Sequence, residues 1–175
     1  MALPGSFQIV QAQTAEDFAT AGTLFTAYAE SLGIDLTFQS FESELQNLAR
    51  QYGSPHGALL LAYGIDPNIA LGCVAVRPLV NKKDEAAHPQ NQIRSCCEMK
   101  RLYVSPEARG MGLGQALVDA IIQRAKDMGY REMRLDTLSS MTGAQQLYRR
   151  AGFVEIEAYY ETPLEGTVFL GLDLS

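Results

Sequence analysis

The stretch RGMGLG, Arg109 to Gly114, sets three glycines on alternate positions just ahead of a helical pattern. The first amide N–H groups of a helix have no partners inside it, and the helix dipole favours negative charge there. Without a Cβ at Gly110, Gly112 and Gly114, a diphosphate can come close to those amides, and Arg109 can add a charge-assisted contact or pin the loop. Two familiar nucleotide motifs fail on spacing. G-x-G-x-x-G counted from Gly110 meets Gln115 at its third glycine, and no G-K-[ST] ends the stretch as a phosphate-binding loop requires. A helix entry that merely needs positive φ is the alternative, so these six residues leave anion binding and plain turn formation both open.

The elements that must position this turn follow from hydrophobic period. FQIVQAQ alternates like a half-buried strand, and Thr14 with Asp17 three residues on caps a helix that runs to Gly33. A second helix is expected from about Ser40 to Tyr52 on the stripe Phe41, Leu45 and Leu48. GALLLAYGI and ALGCVAVRPL flank DPN as a hairpin, and Val80 to Ser95 forms a polar loop without period. CCEMKRLYV is a strand leading into the glycine turn. From Leu113 the period becomes helical, with Ala116, Leu117, Ala120, Ile121 and Ala125 on one face up to Gly129. EMRLDTL, the helix TGAQQLYRRAG, and the strands FVEIEAYY and TVFLGLDL complete an α/β fold with a mixed sheet. There are too few strand–helix alternations for a doubly wound parallel sheet. No linker or repeat divides the chain, so 1–175 is read as one domain.

Of the 175 residues, 47% are apolar and 19% charged, with a formal charge of −6. That acidity argues against nucleic acid and anionic membranes as partners. No stretch approaches the ~20 apolar residues of a spanning helix, and no signal peptide is evident. Three cysteines without C-x-x-C spacing favour a reducing, cytoplasmic setting, and no metal-ligand spacing is present.

Two segments together are more specific than either alone. Arg109-x-x-Gly112-x-Gly114, preceded by EMKRLYVSPEA and followed about thirty residues on by AQQLYRRAGF, resembles the GNAT superfamily of acetyl-CoA-dependent N-acetyltransferases. The second segment matches the family's A-x-x-L-Y-x-x-x-G-F at Ala144, Leu147, Tyr148, Gly152 and Phe153. The resemblance implies a central twisted, mostly antiparallel sheet with about four flanking helices, in which RLYV splays from its parallel neighbour MRLDT. It implies acetyl-CoA as cosubstrate, its pyrophosphate on the backbone from Arg109 through Gly110, Met111, Gly112 and Leu113 to Gly114. Free backbone groups of Leu102, Tyr103 and Val104 would meet the pantetheine arm. Where many members have Asn, this chain has Met141, so main-chain groups of Ser139 to Met141 stand in for that side chain.

For amine acetylation the resemblance makes Glu98 the candidate general base, directly or through water, with a strand glutamate paired to Lys100 or Arg101 as the alternative. Tyr148 is the candidate donor to the departing thiolate. Full transfer from a phenol near pKa ~10 to a thiolate near ~8.5 is uphill by about 2 kcal/mol, so a strong hydrogen bond is favoured over a handover. A backbone N–H near Leu102 to Val104 serves the acetyl oxygen. An acyl-cysteine route through Cys96 or Cys97 is disfavoured, because His56 and His88 sit in proline-flanked loops. Glu30, Asp35, Glu42, Glu44 and Glu161 are acidic residues available to a cationic acceptor, with Tyr159, Tyr160 and Pro163 as a wall. The expected activity is transfer to a small-molecule primary amine. Protein N-terminal or lysine acetylation, and a non-catalytic acetyl-CoA sensor, are the alternatives.

Overall fold

The computed structural model describes residues 6–80 and 95–175; His88 and most of the 80–95 loop lie outside them. The first strand, β1 (Gln8–Gln11), leads to Thr14, whose hydroxyl accepts from the Asp17 amide. Asp17 Oδ2 in turn accepts from the amides of Gln13 and Thr14 at 2.8 and 2.9 Å. This reciprocal cap starts α1 (Ala15–Leu32), and Gly33 ends it in the left-handed region at φ 63.

The single helix expected after it is broken. A 3-10 turn (Thr37–Gln39) precedes α2 (Phe41–Gln46) and α3 (Leu48–Tyr52), which part at Asn47 with φ −131. The Asn47 side chain donates to the Ser43 carbonyl at 2.9 Å, a local bond that competes with helix continuation. The break lets Glu44 turn inward while Leu48 and Tyr52 pack on the sheet.

The strands β2 (Ala58–Tyr63), β3 (Ala70–Pro78), β4 (Cys96–Val104), β5 (Glu132–Leu138), β6 (Val154–Glu155) and β7 (Thr167–Asp173) join β1 in one sheet, ordered β1-β2-β3-β4-β5-β7-β6. All neighbours are antiparallel except β4 and β5. With α4 (Leu113–Asp127) and α5 (Thr142–Arg150), five α-helices flank it among the described residues. The α4 side buries Leu60, Leu117, Ile121, Met133 and Leu170, while the α1 and α3 side buries Phe25, Tyr52, Leu59 and Leu61. β2, an interior strand, is covered on both faces, which explains its unbroken apolar run. Of the strand expected over FVEIEAYY, only Val154–Glu155 is laddered. The Ile156 amide still reaches the Phe169 carbonyl, then the chain leaves the sheet and carries Tyr159 and Tyr160 over it.

Two features of β4 open the sheet. It pairs with β5 only at Cys96, Cys97 and Glu98, and beyond Glu98 no ladder joins them. On its other side the register to β3 shifts between Ala75↔Lys100 and Cys73↔Tyr103, placing an extra residue opposite Val74. Arg101, inside that bulge, has φ 60. A non-glycine residue in that region costs on the order of 1–3 kcal/mol and persists only where its surroundings hold it. Among the described residues no helix is long and apolar enough to cross a membrane.

Candidate active site

Ser105 leaves β4 with its amide bonded to the Leu71 carbonyl, and a 3-10 turn (Pro106–Ala108) delivers the chain to Arg109. Gly110 and Gly112 take φ 78 and 77, and a Cβ on either would meet nothing within 4 Å. Conformation, rather than crowding, therefore requires them. Gly114 differs: a Cβ there would lie 2.9 Å from Leu147 Cδ1, so its job is to seat α4 against α5. Among the described residues, the amides from Gly110 to Gln115 donate no hydrogen bond to the protein. Six consecutive open donors at a helix mouth form a ready anion cradle.

The cradle, except for the exposed Met111, lines a cleft of about 680 Å³ that runs between β4 and the start of α5. Arg109 and Arg150 flank this cleft and, among the described residues, no carboxylate lines it, although the chain as a whole carries −6. The cleft falls within the ~300–1,000 Å³ common for small-molecule sites. Donor set, charge and volume all suit a diphosphate-bearing carrier. Leu102, Tyr103 and Val104 line the same cleft along the unpaired edge of β4, as do Met141, Leu113 and Gly112.

Where β4 and β5 diverge, the cleft meets an inner pocket of about 40 Å³, with Tyr28, Leu102 and Met141 shared by both. The inner pocket is framed by Lys100 and Arg101 of β4, Asp136 of β5, Tyr148 of α5, and Gln39 and Leu164. The architecture thus supplies a large groove with open amide donors, ending in a small chamber that holds both charged and apolar side chains.

A family model described as the acetyltransferase (GNAT) family matches residues 24–153, most of the chain. The chain belongs to the GNAT family. This acetyltransferase is 40% identical over 175 residues to an uncharacterised N-acetyltransferase of Schizosaccharomyces pombe, covering 100% of this chain and 99% of that one. In fold it is similar to a GNAT acetyltransferase of Staphylococcus aureus at TM-score 0.74 and 19% identity, over 97% of this chain and 100% of the other. The Salmonella typhimurium protein yncA, solved with its cofactor acetyl-CoA, aligns at TM-score 0.66 and 18% identity over 97% and 94% of the two chains.

In the acetyltransferase, Glu98 is 3% exposed and held from several sides. Its Oε1 accepts from Arg77 Nε and Nη2 at 3.2 and 3.0 Å, with Lys100 Nζ at 3.7 Å. Its Oε2 accepts from the Tyr159 hydroxyl at 2.9 Å. Glu98 does not line the inner pocket; Asp136 is the carboxylate that does. Tyr148 packs its ring edge-on to Phe153 at 5.9 Å and lines the pocket. Burial pushes its phenol well above the ordinary tyrosine range, with smaller contributions from Tyr28 and Asp136. It therefore holds its proton, which suits a hydrogen-bond donor.

Ser139 sits differently from the expected contact. Its amide donates to the Gly166 carbonyl at 2.8 Å, and Ser140 rather than Ser139 lines the cleft. The Met141 amide is likewise occupied, by the Leu138 carbonyl. The three cysteines are buried, and burial raises the thiols of Cys73 and Cys97, which disfavours a thiolate nucleophile. Of the acidic residues set aside for an acceptor, Glu30, Asp35, Glu42 and Glu161 are on the surface.

Glu44 is instead buried against Arg101, with Nη2–Oε2 at 2.6 Å and Nε–Oε1 at 3.1 Å. The Tyr52 hydroxyl adds a third bond at 2.5 Å. Arg101 also lies over the rings of Phe41 and Tyr28 at 5.2 and 5.9 Å. This network holds the bulge. Lys100 was read from the sequence only as a possible partner of Glu98, and Tyr28, Asp136 and Arg150 were not expected at the site. Of these three, Arg150 carried a local signal, lying inside AQQLYRRAGF; Tyr28 and Asp136 meet at the site through sheet topology.

Proposed function

We propose that this acetyltransferase moves an acetyl group from acetyl-CoA directly to the primary amine of a small molecule, with 1–175 acting as one domain. The observation that carries the reading is the row of open amides from Gly110 to Gln115 beside two arginines, leading along an unpaired strand edge into a small inner pocket. The small chamber favours a compact amine over a protein side chain. Acetyl-CoA supplies the activated acyl group as a thioester.

The chain's residues divide the remaining work. The amides of the cradle, with Arg109 and Arg150, hold the pyrophosphate, while Leu102, Tyr103 and Val104 offer backbone groups to the arm. An amine of pKa near ~10 must lose a proton before it attacks. Glu98 accepts that proton through water, its orientation kept by Arg77 and Tyr159. Tyr148 donates a hydrogen bond to the leaving sulfur and keeps its own proton. A backbone N–H at Leu102 to Val104 offsets charge growing on the acetyl oxygen.

The test is thiol release from acetyl-CoA across a panel of small amines, with Glu98→Gln and Tyr148→Phe in parallel. Both variants are expected to bind acetyl-CoA and to lose turnover. Cofactor binding without turnover of any amine or peptide by the wild type would refute the proposal.

A further inference from the structure

The two arginines nearest the inner pocket have close carboxylate partners, Arg77 with Glu98 at 3.0 Å and Arg101 with Glu44 at 2.6 Å. Lys100, which lines the pocket, has only a long ion pair to Glu98, and Asp136, which also lines it, has no ion pair among the described residues. The Lys100 side chain is 7% exposed. Its ammonium reaches Gln39 Oε1 only at 3.4 Å and Glu98 Oε1 at 3.7 Å, an oxygen already accepting twice from Arg77. An ammonium has three donors and here makes little use of them. Asp136 accepts from the Tyr160 hydroxyl on Oδ2 at 3.0 Å, and its Oδ1 receives no protein donor among the described residues. No ion pair joins Lys100 to Asp136 directly, although each lies within the other's field. Burial lowers the lysine's affinity for its proton, and Glu98 and Asp136 partly restore it.

A buried cation and a partly buried anion that face one small space without touching describe a ligand with both charges. We propose that the acceptor is an amino-acid-like zwitterion, its carboxylate held by Lys100 and its ammonium by Asp136. This rests on the reading of the site as an amine acetyltransferase. A polyamine would set its second cation against Lys100 and Arg101 in a closed space. A simple amine would leave Lys100 with only its long contact to Glu98, and a poorly answered buried charge is costly.

The experiment compares matched pairs: L-phenylalanine with phenethylamine, and L-leucine with isopentylamine, with spermidine alongside. Each is assayed by thiol release with acetyl-CoA, for wild type, Lys100→Met and Lys100→Arg. The wild type is expected to favour the carboxylate-bearing member by about tenfold to a hundredfold in kcat/KM, the worth of a charge-assisted hydrogen bond. Lys100→Met should erase that preference mainly through KM, and Lys100→Arg should retain part of it. Equal turnover within the wild-type pairs, preference for spermidine, or an undiminished preference in Lys100→Met would overturn the assignment. Turnover confined to the simple amines would sink this inference and leave the acetyltransferase reading standing; turnover of none would remove both.

Discussion

Glu44→Gln tests whether the Glu44–Arg101 pair holds the β4 bulge. Both side chains are 3% exposed, so the variant leaves a guanidinium buried without its counter-charge. Removing one partner of a buried pair costs roughly 3–5 kcal/mol. For a chain of this size each kcal/mol is about 2–4 °C, giving an expected fall in Tm of about 6–20 °C. Glu44→Leu combined with Arg101→Met, which removes both charges, should recover much of that loss, because the pair's own desolvation disappears with it. Urea denaturation of wild type, Glu44→Leu, Arg101→Met and the double variant measures the coupling. The pH dependence follows the same bond. Burial opposes the charge on Glu44, while Arg101 outweighs it and leaves the carboxyl below its usual 4.5. A folded-state value below the unfolded one means the contribution is complete above about 4.5 and fades as pH falls through the folded value. The gap between wild type and Glu44→Gln should therefore narrow in acid. A loss under about 1 kcal/mol at neutral pH, or no recovery in the double variant, refutes the account.

Further predictions concern the cleft. Gly112→Ala forces a side chain into φ 77, and should destabilise by about 1–2 kcal/mol and raise the KM for acetyl-CoA in steady-state kinetics. Arg109→Ala and Arg150→Ala, both exposed, should each raise that KM only about two- to fivefold, with the effect shrinking as salt is added. Tyr148→Phe should lower kcat about tenfold to a hundredfold with little change in acetyl-CoA binding by calorimetry. Because burial keeps the phenol protonated, the wild-type rate should show no loss from Tyr148 ionisation up to pH ~10.

Local chemistry made the cap at Thr14 and Asp17, the stop at Gly33, the DPN hairpin and the helix from Leu113 legible in the sequence, since each depends on residues a few positions apart. The glycine turn was legible too, because positive φ at Gly110 and Gly112 is a property of the residue type. The packing role of Gly114 was not, for Leu147 meets it across 33 positions of chain. Glu44 was one of several acids read as available to a cationic acceptor, whereas the fold buries it against Arg101. Nor does spacing reveal that Lys100 and Asp136 share a chamber, or that Tyr159 leaves its strand to bond Glu98. Short-range pattern determined most of the elements and the glycine turn at the mouth of α4. Only the sheet, by parting β4 from β5 and folding distant helices over the gap, decided which charges are paired and which face the pocket. The physical reason is that burial and ion pairing depend on three-dimensional neighbours that sequence order does not encode.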